Sequence, residues 1–135
     1  MAGYSGTPLA KKLGIKATDT LVTLNAPADY KKLVAPLPAG STIVTKPSKG
    51  GAPFVHLFVT SIADLDKQLP LARKAMTQDG MLWVSWYKKA AKIPTDVTED
   101  VIRTRALKTD LVDVKVCAVS DIWSGLKLVV RKGLR

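Results

Sequence analysis

At 135 residues, with 47% of them hydrophobic, the chain has the size of one domain and enough apolar mass for one core, which argues against a two-domain body. Lys and Arg number 21 against 11 Asp and Glu, and the resulting net charge of +10 favours anionic partners: a nucleotide, a nucleic acid or a membrane surface. Lone Cys117 excludes an internal disulfide, no run approaches the roughly 18 apolar residues that span a bilayer, and no export leader is visible, so a cytoplasmic protein with no membrane partner is expected.

The first element follows GYSGTP. Gly3 and Gly6 free the backbone, Thr7 is a good N-cap and Pro8 suits the first helical position, so a helix is predicted over Pro8 to Leu13, ended by Gly14 in the left-handed conformation. Thr20 to Leu24 reads as the first core strand. Asn25-Ala26-Pro27 breaks it, and Ala28 to Val34 allows two turns of helix before Pro36 and Pro38. Ser41 to Thr45 is a short strand and 46–53 a loop. Phe54 to Val59 is apolar almost throughout, as in parallel strands covered on both faces.

Ser61 to Met76 carries Ile62, Leu65, Leu69, Ala72, Ala75 and Met76 at helical spacing, with Pro70 expected to kink or split the helix. Thr77 to Gly80 is the expected turn and Met81 to Trp86 another apolar strand. Asp96 with Glu99 makes a capping-box pattern opening a helix that runs to about Leu107. Val112 to Val119 and Leu126 to Arg131 alternate, which marks one wetter face, and Trp123-Ser124-Gly125 is placed as the turn between them. The whole predicts a three-layer α/β sandwich: one domain, a mostly parallel sheet, and an antiparallel hairpin at its C-terminal end.

FVHLFVTSIADLDKQLPLARKAMTQDGMLWVSWYKK, residues 54 to 89, is similar to the strand, helix, Asp-Gly turn and strand in the second half of class I Rossmann-like methyltransferases, and VDVKVCAVSDIWSGLKLVVRK, residues 112 to 132, resembles the end of their sheet. Over nearly its whole length, from GYSGTPLAKKLGIK through PTDVTEDVIR to WSGLKLVVRK, the chain resembles a family of small, mostly bacterial proteins catalogued as a domain of unknown function. The first likeness implies the methyltransferase fold. It also implies a glycine-rich turn after the first strand, because the backbone must approach the cofactor there, and an acidic residue after the second strand to hold a ribose. This chain has TLVTLNAPADY and Thr45-Lys46-Pro47 at those places, and little room for the strand and helix that a full methyltransferase adds next. The expectation is a degenerate methyltransferase-like domain without a cofactor.

Ligands of open α/β sheets sit beyond the carboxyl ends of the strands. That places the candidate ligand-binding residues at Asn25, Lys46, Thr60, Ser61, Trp86, Tyr87 and Lys88, with Trp123 and Ser124 on the same side and Ser5 and Thr7 able to fold over it. Ammonium groups, hydroxyls and aromatic rings together suit a small anionic or nucleotide-like ligand. Plainer readings are a solvated loop for Lys88, Lys89 and Lys92 and core packing for Trp83 and Trp86.

No catalytic set emerges. Gly3-Tyr4-Ser5-Gly6 misses the nucleophile-elbow spacing and no strand precedes it. His56, inside FVHLFV, is expected as a hydrogen-bonded core residue, and one His with one Cys cannot ligate a transition metal. The alternative is a basic module gripping nucleic acid through Lys11, Lys12, Lys16, Lys31, Lys32, Lys88, Lys89 and Lys92, which is disfavoured because these are scattered and no recognition motif accompanies them. Oligomerisation through the hairpin edge is a third option.

Overall fold

A computed structural model describes residues 8–47 and 49–134. Six strands, β1 (Thr20–Leu24), β2 (Thr42–Val44), β3 (Ala52–Phe58), β4 (Met76–Tyr87), β5 (Leu111–Ala118) and β6 (Trp123–Val130), form one sheet in the order β2-β1-β3-β4-β6-β5. The first four are parallel, and β6 runs antiparallel to both β4 and β5. Four α-helices flank it: α1 (Leu9–Leu13), α2 (Tyr30–Val34), α3 (Ile62–Ala75) and α4 (Glu99–Leu107). The expected sandwich with its antiparallel C-terminal hairpin is the observed architecture.

The helices divide between two cores, one on each face. Leu65, Leu69 and Ala72 of α3 and Ile102 and Ala106 of α4 pack with Val55, Leu57, Leu82, Val84 and Leu126. On the other face Leu9 and Leu13 of α1 and Tyr30 and Val34 of α2 pack with Leu21, Phe54, Phe58 and Trp83. Strands β3 and β4 are buried from both sides, which is why their sequences are apolar without alternation. Trp83 Nε1 donates to the Leu13 carbonyl at 2.9 Å, satisfying one orphan acceptor at the end of α1. Gly14 takes φ 83 there, as the sequence requires.

The cap positions differ from expectation in instructive ways. Pro8 is the N-cap residue of α1, and Thr7 lies outside the described residues. Thr98, not Asp96, caps α4 by accepting from the Val101 amide at 3.2 Å. Asp96 instead reaches across to accept from the Ile62 amide at 2.8 Å, so it caps α3 together with Ser61, which accepts from Asp64 at 3.0 Å. A carboxylate at the positive end of a longer helix is the better-placed charge. Pro70 does not split α3, which runs unbroken over 14 residues because its apolar side is held in the core.

Two predicted turns move. Thr77 to Gly80 is not a turn but a bulge in β4: Ala52 faces Met76, and Phe54 next faces Met81. Trp123 and Ser124 are the first residues of β6, and the hairpin turns earlier, where Ser120 Oγ accepts from the amides of Ile122 and Trp123, both at 3.1 Å. Strand β5 forms the sheet edge, with Val114 at its bulge beside Lys115, features that oppose uncontrolled pairing.

Candidate ligand cleft at the carboxyl end of β4

The strand order sets out the candidate residues in a row. Lys46 follows β2, Asn25 follows β1, Thr60 follows β3 and Lys88 follows β4, at neighbouring positions along one edge of the sheet. At about 4.8 Å per strand, Lys46 and Lys88 stand three strand spacings apart, about 14 Å of backbone. Asn25 and Lys46 are exposed, and neither lines the cleft described below. Thr60 and Ser61 are engaged locally: the Thr60 carbonyl accepts from Thr95 Oγ1 at 2.7 Å, its amide donates to Asp64, and the Ser61 hydroxyl caps α3. Ser5 and Thr7 lie outside the described residues.

Trp86, Tyr87 and Lys88 do come together. They line a cleft of about 590 Å³ between the end of β4 and the start of α4. Lys89 and Lys92 add two further ammonium groups. Ile93, Pro94, Thr95, Val97, Thr98 and Glu99 close the other wall. The chain enters through a short 3₁₀ turn at Lys89–Ala91 and leaves it at Lys92, whose φ of 56 reverses the backbone toward α4. Glu99 is the one acid in this lining, and Arg103 holds it, along with Asp100 at 2.8 Å and Asp113 at 3.0 Å. The Glu99 and Asp113 contacts hold the Arg103 guanidinium above its ordinary pKa. Charge in the cleft is therefore set by the three lysines.

Trp123 stands behind the cleft. It faces Tyr87 in the register and stacks on it at 4.5 Å, while Ser124 faces Trp86. Phe58 meets Trp123 edge-on at 4.9 Å and Tyr30 at 5.7 Å, and stacks on His56 at 4.3 Å. These rings make a continuous aromatic layer under the strand ends. His56 is wholly buried between the Tyr30 hydroxyl, 2.9 Å from Nδ1, and Ser85 Oγ, 2.7 Å from Nε2. Burial lowers its pKa to about 3 and raises that of Tyr30. The histidine is the core residue its apolar setting implies, far from any open surface. Among the described residues no group of three His, Cys, Asp or Glu side chains is arranged to hold a metal ion. Among the residues that line the cleft the titratable groups are Tyr87, Lys88, Lys89, Lys92 and Glu99, a predominantly cationic set.

Strand and loop together explain what sequence reading missed. Lysines after a parallel strand are legible as a strand-end signal; Thr95 and Thr98 become wall residues only because Asp96 docks their loop onto α3.

The methyltransferase likeness implies S-adenosylmethionine, and the residues present do not fit it. Where a glycine would let the cofactor approach the backbone, Asn25 occupies the turn after β1 with φ 60. Pro27 removes an amide donor, and its carbonyl accepts from Tyr30, committing the turn to starting α2. No carboxylate follows β2, where Thr45-Lys46-Pro47 stand.

No family model matches the sequence, and no curated protein is similar to it. Solved structures are. A ribosomal protein L11 methylase from Lactobacillus delbrueckii subsp. bulgaricus superposes with a TM-score of 0.63 at 10% identity, over 92% of this chain and 75% of its own. A SAM-dependent methyltransferase from Aquifex aeolicus gives 0.62 at 13% identity, over 90% of this chain and 88% of its own. A type 11 methyltransferase from Sulfolobus solfataricus, so named provisionally, gives 0.58 at 11% identity, over 92% and 90%. Likeness at such identities is a statement about the backbone alone: the chain has the Rossmann-like fold of these methyltransferases.

Proposed function

We propose that this domain uses the methyltransferase fold without its cofactor and binds a small, anionic, ring-bearing molecule of nucleotide-like size in the cleft at the end of β4. The observation that supports this reading is the lining itself: the Trp86 and Tyr87 rings with the ammonium groups of Lys88, Lys89 and Lys92, in a volume of about 590 Å³. Small-ligand sites run from about 300 to 1,000 Å³. A hydrogen bond to a charged group contributes about 1.5–3 kcal/mol, so each lysine that reaches a phosphate is worth about a factor of ten or more in affinity.

Calorimetric titration with adenosine monophosphate, S-adenosylhomocysteine and heparin, at low and high salt, tests it. Selective binding of the monophosphate, weakened by at least about tenfold in the paired variant Lys88→Ala and Lys92→Ala, supports the cleft. Binding of S-adenosylhomocysteine that ignores those lysines and is lost on replacing Asn25 overturns the loss of the cofactor site.

One observation favours the alternative, a phosphate-gripping nucleic-acid module. Lys115 stands directly opposite Lys127 across the hairpin, and Lys16 lies close enough to Lys127 for its charge to be felt there. Burial first, then Lys115 and Lys16, lowers the pKa of Lys127. Like charges facing across strands are destabilising, and a polyanion laid over them relieves that cost. Heparin binding that falls steeply with salt and is cut by Lys115→Ala supports this reading over the first.

A further inference from the structure

We infer that the gap left by a missing crossover helix is a second binding site, separate from the cleft at β4, for a small molecule with an apolar body and one anionic head group. Strands β2 and β3 are parallel with β1 between them. Such a connection ordinarily takes a dozen or more residues and a helix that covers the sheet. Here the connection spans only residues 45–51, and none of its described residues is helical. On the α3 and α4 face the sheet beside β1 therefore lacks its cover, and Leu24 and Val44 remain only partly buried.

The result is a slot of about 460 Å³ between the loop residues Pro47 and Lys49 and the outer side of α3. Its floor is Leu24, Pro47, Leu71 and Ala75, and its polar groups are Lys49, Lys74 and Gln68. Leu71 keeps 53% of its surface exposed, a large apolar side chain left in water by a helix that otherwise turns its leucines inward. Apolar floor, two ammonium groups, one carboxamide and no carboxylate in the lining select an amphipathic anion.

At about 460 Å³ the slot has the size of a small-molecule site, and its two ammonium groups call for an anionic occupant. A carboxylate on a medium-length alkyl chain fits the volume, its tail on Leu24 and Leu71 and its head between Lys49 and Lys74.

Decanoate, 1-decanol and acetate, titrated below their aggregation limits and followed by amide NMR, test this. Decanoate is expected to bind saturably at one-to-one stoichiometry and shift amides of Leu24, Lys49 and 68–75. Decanol should bind at least tenfold more weakly and acetate not at all. The paired variant Lys49→Ala and Lys74→Ala should bring decanoate down to the level of decanol, and Leu71→Asp should abolish both. These three side chains are exposed, so unchanged thermal unfolding of the variants is the control for folding. Absence of saturable decanoate binding overturns the site, as do shifts that map to β4 and residues 88–99 instead. Equal affinity for decanoate and decanol overturns the anionic head group. Lys88→Ala, in the other cleft, should change none of these readings.

Discussion

Acid should destabilise this protein through one residue, His56, before most of its carboxylates are protonated. Its ring is fully buried, both nitrogens are within hydrogen-bonding distance of hydroxyls, and its pKa is lowered from 6.5 to about 3 by desolvation. The sign follows from proton counting. Between pH 6.5 and 3 the unfolded chain binds a proton at this imidazole and the folded one does not, so stability falls as pH falls through that window. One pH unit is worth 1.36 kcal/mol per proton, and going from pH 7.5 to 4.5 should remove roughly 3 kcal/mol, a large part of a typical domain's total of about 5–15 kcal/mol. Asp110, held low by its hydrogen bond with Arg73, contributes only below its ordinary value of 3.8, outside this range. The assay is urea unfolding across that range, for the natural chain and for His56→Gln, which keeps a polar side chain but cannot titrate. The natural chain's slope should exceed the variant's by nearly one proton at pH 5. Since His56 is the sole histidine, its imidazole NMR signals read the folded state directly. Equal slopes, or a folded imidazole that titrates near pH 6, would refute the reasoning.

Other expectations follow from packing and charge. A Cβ on Gly125 would lie 3.1 Å from both the Trp83 ring and Val119 Cγ2, so Gly125→Ala should cost about 1–3 kcal/mol by chemical denaturation, as overpacked cores do. Gly51→Ala should cost at least as much, because a residue with φ 85 would push its Cβ to 3.1 Å from the Met76 backbone, which cannot swing aside. Arg73 bonds both oxygens of Asp110 at 2.9 Å and so ties α3 to the start of β5; Arg73→Ala should lose about 1 kcal/mol, less in concentrated salt because the pair is partly exposed. Burial raises the Cys117 thiol pKa despite Lys12 and Lys115 nearby, so at pH 8 it should react with a disulfide reagent more slowly than free cysteine.

The legible parts of the fold were those with strong local causes. Gly14, the apolar runs of β3 and β4, and the helical spacing of α3 each announce themselves within a few residues. What stayed hidden depended on partners distant in sequence. Asp96 looks like the cap of the next helix until Ile62, 34 residues away, is seen to donate to it. Thr77 to Gly80 has turn composition, yet pairing of Met76 and Met81 with β3 turns it into a bulge. Trp123-Ser124-Gly125 also has turn composition, but the Trp123 ring has a place between Phe58 and Tyr87 that only strand geometry supplies. In the candidate site, Trp86, Tyr87 and Lys88 are neighbours in sequence and stay neighbours in space, whereas Lys46 is carried away by the strand order, which composition does not encode.

The shortness of α1 and α2 connects the fold to the proposed loss of the cofactor. Two helices of five residues bury little sheet, and the face they leave is sealed instead by rings: Tyr30, His56, Phe58, Trp123 and Tyr87 in mutual contact. Aromatic side chains bury about 150–250 Å² each, which makes them the efficient substitute for a missing helical turn. Those rings lie at the carboxyl ends of β3 and β4 and at the start of α2, where a Rossmann-like site needs open space and bare backbone. Removing them to reopen a pocket would leave His56 without Tyr30 and the sheet without its cover. Phe58→Ala should therefore cost about 3–5 kcal/mol and should not restore binding of S-adenosylhomocysteine, since the turn at Asn25 to Pro27 still lacks glycine. A folded Phe58→Ala protein that binds that compound would show that side-chain bulk alone closes the site and that the turn is innocent.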